Sequence, residues 1–304
     1  MFNVGAANTL ADILSLRRPH ESQTELNFIR DTIDPTGARA DAKGNRILRI
    51  GSAPILWSAH TDTVHRHGGT QAIRRDGDSI LLAKKSKSDC LGADDGAGIW
   101  LMLEMIAAGV EGLYVFHRGE ECGGIGSNYI ASKTPELLDG IQAAIALDRK
   151  GYDSVITHQY GRCCSTAFAK SLAAGLGFHY APDSTGLFTD TANYTEIIPE
   201  CTNISVGYHY AHSRQESLDF GFLVALRDSL LRLDLSALTI ERDPSDFGEA
   251  ELEYAGHWGQ DYGATYGATL ADMIADNPEI AADIFEQYGI DDSEFSRILK
   301  NYLP

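Results

Sequence analysis

Short apolar runs alternate along this chain with stretches in which apolar positions recur every three or four residues. Residues 45–50 (NRILRI), 53–59 (APILWSA), 112–117 (GLYVFH), 143–148 (AAIALD), 153–158 (DSVITH) and 202–208 (TNISVGY) are too short and too uniformly apolar for surface helices and predict buried strands. Residues 74–82 (RRDGDSILL) predict a hairpin turning at Asp76-Gly77. Helical spacing appears after a capping box at Ser22 and Glu25, with Leu26, Ile29 and Ile33 on one face. It returns in residues 96–109, ended by Gly109, and in residues 165–177. This alternation predicts an α/β fold, three-layer α/β/α with a mixed, mostly parallel central sheet. No repeat or low-complexity linker interrupts it.

Charge divides the chain unevenly. The net charge is -18, and from residue 243 onward 14 acidic residues face only Arg297 and Lys300. Residues 1–242 are therefore expected to form the main domain, without an inserted lid, and 243–304 an acidic, mostly helical C-terminal extension. Within the extension, Asn277-Pro278 fits a helix start, and Ile280, Ile284 and Tyr288 follow at helical spacing. Those apolar faces need a partner, either the main domain or another subunit, so a homo-oligomer through the extension is one expectation. The acidic balance argues against a nucleic-acid backbone or an anionic membrane as partner. No run of about 18 apolar residues occurs, and the N-terminal residues lack the pattern of a signal peptide. Five cysteines, an odd number without C-x-x-C spacing, suit reduced thiols and a cytoplasmic location.

Chemistry gathers at the ends of the predicted strands. One runs out into His60 and Asp62, another into Glu120 and Glu121, a third into Asp148, and a fourth into His209 and His212. Asp94 and Asp95 sit in a glycine-rich turn entering a helix. Ligands of open α/β sheets bind beyond the carboxyl ends of the strands, so these groups can converge. Taken singly, each has an ordinary reading: a solvated turn, a helix N-cap, a charged strand end, an ion pair of Asp148 with Arg149 or Lys150. Those readings do not account for all five pieces, in order, each at the end of an apolar segment. Carboxylates crowded in one cleft repel unless a cation neutralises them. Imidazole and carboxylate without thiolate suit zinc, with cobalt or manganese as substitutes.

The ordered set SAHTDTV, LGADDGAG, GEECGGIGS, ALD and ECTNISVGYHYAHSRQES resembles the co-catalytic zinc exopeptidases, and most of all their aminopeptidase branch, metallopeptidase family twenty-eight. The resemblance implies two zinc ions, with His60 and Asp148 on one, Glu121 and His212 on the other, and Asp94 bridging. It implies that Asp62 orients the His60 imidazole, that Glu120 is the general base for a metal-bridged water, and that the Asp94-Asp95 peptide is cis. His212 is preferred to His209 because HSRQE places Glu216 four residues on, as in the resembling enzymes. His117 reads as a packed strand residue, and His65 and His67 as rim or exposed residues. Tyr208 or Tyr210 is a candidate donor to the reacting carbonyl, and Asp190 in GLFTDTANY resembles the wall that meets a substrate amine.

Relatives that act as carboxypeptidases or deacylases insert a lid of roughly a hundred residues between the fourth and fifth ligands. Here 63 residues separate Asp148 from His212, and they read as core elements. The expectation is an aminopeptidase acting on small peptides or aminoacyl amides. A deacylase or carboxypeptidase on the same scaffold is the alternative, and a non-catalytic binding protein the different-class one. Glutaminyl cyclases share the fold with one zinc, against which the complete His60 and Asp148 pair argues. Cys163-Cys164 reads as buried packing rather than redox chemistry.

Overall fold

A computed structural model describes residues 10–159 and 161–245, together with Phe285 and Phe295. The expected extension beyond residue 245, with its helical positions Ile280, Ile284 and Tyr288, otherwise lies outside the described residues.

The central sheet has eight strands in the spatial order β11 (Ala181–Asp183), β10 (Ser154–Ile156), β12 (Glu200–Ser205), β9 (Ala143–Arg149), β4 (Ile55–His60), β8 (Gly112–His117), β3 (Arg46–Ile50) and β2 (Arg39–Ala40). The four middle strands, β12, β9, β4 and β8, are mutually parallel, and antiparallel pairs flank them. Strands β4, β8 and β12 are buried along their whole length; β4 and β8 accordingly read as mainly apolar runs, whereas β12 buries Glu200, Thr202, Asn203 and Ser205 with hydrogen-bond partners. Two small sheets accompany this one. The first pairs β1 (Leu16–Arg17) with β5 (Gly69–Thr70); the second runs β13 (Tyr208–His209), β14 (Ser217–Asp219), β7 (Ser79–Leu82), β6 (Ile73–Asp76).

Helices cover both faces. Helix α3 (Ala93–Ala108) packs on β4 and β9, with α1 (Leu10–Leu14) and α6 (Phe220–Leu230) beside it. Helix α4 (Ile125–Lys133) packs with the 3-10 turn Asp190–Tyr194, which touches β4, β9 and β12. Helix α5 (Thr166–Leu176) is capped by the Ser165 hydroxyl and closes the far end, against β10 and β11. The fold is the three-layer α/β/α arrangement expected from the alternation of patterns.

Three local expectations need correcting. The first long helix is α2 (Gln23–Phe28) followed by a π turn, Ile29–Ile33, and Leu26 is 42% exposed. Only the Ser22 half of the capping box forms: Ser22 Oγ accepts from the Glu25 amide, while Glu25 turns inward, accepting from the Glu21 amide and Thr61 Oγ1 and pairing with Arg118. The buried face therefore runs through Glu25, Phe28, Ile29 and Ile33, and Leu26 is rotated out. The hairpin turns at Gly77-Asp78, one residue later, because Asp76 still pairs with Ser79. The run 202–208 splits into β12 and β13. Gly207 at φ 93 takes the chain out of the sheet, and a Cβ there would stand 2.7 Å from Phe222.

Candidate metal centre and active site

Five side chains converge beyond the carboxyl ends of the middle strands. His60 closes β4, Asp148 lies near the end of β9, and Glu121 follows β8 by four residues. Asp94 stands at the start of α3, and His212 in the loop between β13 and β14. His60 Nε2 lies 3.0 Å from Asp94 Oδ1 and 3.7 Å from Asp148 Oδ1. His212 Nε2 lies 3.1 Å from Asp94 Oδ2 and 3.1 Å from Glu121 Oε1. Asp94 thus offers one oxygen to each imidazole.

Those spacings test whether metal fits. Ligand atoms about 2.0 Å from a tetrahedral ion stand about 3.3 Å from one another, and the four separations bracket that value. Ligand atoms of His60, Asp94 and Glu121 lie within 4.8 Å of one another, as do those of His60, Asp95 and Asp148. The donors are imidazole nitrogen and carboxylate oxygen, the chemistry of a zinc-like ion.

Electrostatics in the metal-free chain point the same way. Burial, with Asp94 alongside, raises Glu121 to about 7. Burial also pushes Glu120 well above the carboxylate range, reinforced by Glu121 and Asp148. His212 should be lowered by burial, yet Glu121 and Asp94 push it up to about 12. The cluster takes up protons to offset its own negative charge, as a bound cation otherwise would.

Local structure explains how each ligand is held. The Asp94-Asp95 peptide is cis, and both residues have non-helical backbone angles, so α3 is regular only from Gly96. Gly98 lets this turn approach β9: a Cβ there would stand 2.4 Å from the Leu147 carbonyl. Asp95 accepts from the backbone N–H groups of His60 and Gly98, at 3.1 and 2.9 Å. His60 Nδ1 is 3.1 Å from the Asp62 carbonyl, which leaves Nε2 for the centre, while the Asp62 carboxylate is 3.6 Å from Nδ1. That carboxylate also accepts from the amides of Gly119, Glu120 and Glu121, at 3.0 to 3.2 Å. Asp62 therefore holds the turn carrying both glutamates as well as lying beside the imidazole.

Asp148 is held on several sides. Thr189 Oγ1 donates to Oδ2 at 2.8 Å, and Tyr208 OH lies 3.2 Å from Oδ1. Asn203 accepts from the Asp148 N–H and donates to its carbonyl, filling the bulge between β12 and β9.

Residues 45–217, more than half of the chain, match Peptidase family M28. The chain belongs to this family. As an M28 protein it is a metallopeptidase acting on peptide bonds, which agrees with the centre just described. Solved structures with the same fold include the aminopeptidase PepT from Bacillus cereus, at 13% identity over 75% of this chain and 97% of that one, TM-score 0.61. A tripeptidase from Staphylococcus aureus superposes at 14% identity over 76% and 97%, TM-score 0.62. The TET1 peptidase of Pyrococcus horikoshii superposes at 17% over 74% and 100%, TM-score 0.52, and that protein assembles into a tetrahedron or an octahedral shell. No curated protein matches the chain.

The other residues singled out from sequence fall in varied places. Tyr208 is buried against Asp148, whereas Tyr210 is 70% exposed. Asp190 is buried, and its Oδ2 lies 3.3 Å from His117 Nδ1. His117 is a packed strand residue, its Nε2 2.6 Å from Tyr194 OH, and burial lowers it to about 3. His67 is exposed, but His65 is buried rather than at a rim, within 3.0 Å of Thr63, Gln71 and the Cys90 carbonyl. All five cysteines are free, and Cys163 and Cys164 are buried. Among the described residues no helix is long and apolar enough to cross a membrane. Sequence reading passed over Asn203, Thr189 and the grip of Glu216; Asn203 lies among other polar residues of β12, Glu200, Thr202 and Ser205, so nothing local set it apart.

Proposed function

We propose that this M28 metallopeptidase is a two-metal aminopeptidase. His60 and Asp148 would hold one ion, Glu121 and His212 the other, with Asp94 shared. The carrying observation is the placement of the two Asp94 oxygens, one within 3.0 Å of His60 and the other within 3.1 Å of His212. When bound, the pair of ions, zinc or in its place cobalt or manganese, supplies Lewis acidity and a water of lowered pKa.

The chain's own groups account for the rest. Glu120 stands beside the centre on the turn fixed by Asp62, and takes the proton of the attacking water and passes it to the leaving amine. A protonated substrate amine finds carboxylates in excess over cations here. The arginines flanking the ligands, Arg149 and Arg214, hydrogen-bond loop carbonyls at Thr185, Ser86 and Ser88, which disfavours recognition of a substrate carboxylate. The residues between Asp148 and His212 form β10, α5, β11 and β12 rather than a lid. Tyr210, exposed two residues before His212, would be free to meet substrate, whereas Tyr208 is buried against Asp148.

Hydrolysis of a panel of aminoacyl anilides, each paired with its N-acetylated form, tests this. The account predicts cleavage only of the free amines; cleavage only of acetylated compounds would make the protein a deacylase.

A further inference from the structure

Glu216 is the most heavily engaged carboxylate near the centre, and it holds no ligand position. It is 1% exposed and accepts from four successive backbone amides: Leu91 and Gly92 on Oε2 at 2.7 and 2.9 Å, Ala93 and Asp94 on Oε1 at 2.8 and 3.0 Å. Two residues earlier, Arg214 reaches the same segment with the opposite polarity. Its guanidinium donates to the carbonyls of Ser88 and Ser86, at 2.7 and 2.6 Å. A cation on carbonyls and an anion on amides cannot exchange places, so this staple fixes the register of 212–216 against 86–94.

The stapled loop carries local hydrogen bonds through Ser213, which donates to the Tyr210 carbonyl and accepts from the Gln215 amide, but it also carries backbone strain. Tyr210 and His212 both have left-handed backbone, at φ 55 and 63, uncommon for residues other than glycine. Beyond the staple, β14 pairs with β7, so the chain leaving Glu216 is fixed as well. The spacing of His212 from Asp94 is thus set through Glu216, which grips the Asp94 amide and lies four residues from His212.

We propose that Glu216, aided by Arg214, is a positioning residue that sets His212 against Asp94 before metal arrives, and so governs filling of the His212 and Glu121 half of the centre. The proposal rests on the two-metal reading above.

The test titrates zinc into chelator-stripped full-length protein by calorimetry, with direct metal counts, for the native chain and for Glu216→Gln, Glu216→Asp and Arg214→Gln. The native chain takes two ions. In Glu216→Gln the first ion binds as in the native chain, and the second binds about tenfold to a hundredfold more weakly. Glu216→Asp, charged but one methylene short of the four amides, follows Gln; Arg214→Gln loses less than about tenfold. Native constants in Glu216→Gln, equal weakening of both ions, or full rescue by Asp would each overturn the proposal. A native chain holding fewer than two ions would instead contradict the two-metal reading. In that case, or if the variants do not fold, amide hydrogen exchange of the metal-free native chain decides. Protection at residues 91–94 supports a loop set in advance, and exchange at the rate of an open loop refutes it.

Discussion

The two halves of the centre are built differently. His60 and Asp148 sit on parallel neighbours of the main sheet, β4 and β9, and their partners approach from several elements. Glu121 and His212 sit on a turn and a loop, and a buried carboxylate outside the ligand set is tied in beside each: Asp62 accepts from the Glu121 amide, and Glu216, four residues after His212, accepts from the Asp94 amide. A strand ligand inherits its position from the ladder and the core, so removing one neighbour leaves others. A loop ligand has no ladder directly behind it, so losing its main anchor displaces it more than losing one neighbour displaces a strand ligand.

The largest expected effect separates chemistry from both halves. Glu120→Gln should keep native metal content while turnover falls by about two to four orders of magnitude; steady-state kinetics beside a metal count would show it, and retained turnover would remove Glu120 from the mechanism. Next is Asp62→Asn, which disturbs the carboxylate holding three amides of the glutamate turn. Zinc titration should show affinity weakened by about tenfold to a hundredfold, most on the Glu121 side and less on the His60 side, whose imidazole the same carboxylate flanks. Thr189→Val removes one of several restraints on Asp148 and should cost less than about tenfold in zinc affinity; a larger loss would erase the contrast between strand and loop halves.

One further effect lies away from the metal and bears on stability rather than on zinc affinity. Burial lowers His65 to about 4 from an ordinary value of 6.5, so the folded chain keeps it neutral. Its contribution to stability is complete above pH 6.5 and is lost as pH falls through 4, by up to about 3 kcal/mol. Denaturant unfolding of metal-free protein across that window should show this loss, and His65→Gln should flatten the profile.

The same contrast governs what could be read from sequence. Period and apolar run placed β4, β8 and β9, and with them the strand ends that carry His60, Asp148 and the glutamates. What escaped was contact across long separations. Glu216 reaches back more than 120 residues to the amides ahead of α3, and nothing in a glutamate following Gln215 announces four backbone donors. Leu26 was misplaced for a related reason: the inward turn of Glu25 depends on Thr61 and Arg118, distant in sequence. Nor could the pattern announce that the 3-10 turn Asp190–Tyr194 brings Asp190 beside His117, 73 residues earlier in the chain.

The most direct test of the two-metal centre is anomalous scattering from zinc-loaded crystals. The account predicts two peaks per chain, one between His60 and Asp148 and one between Glu121 and His212, both within reach of Asp94. A single peak, or peaks away from these five residues, would contradict it.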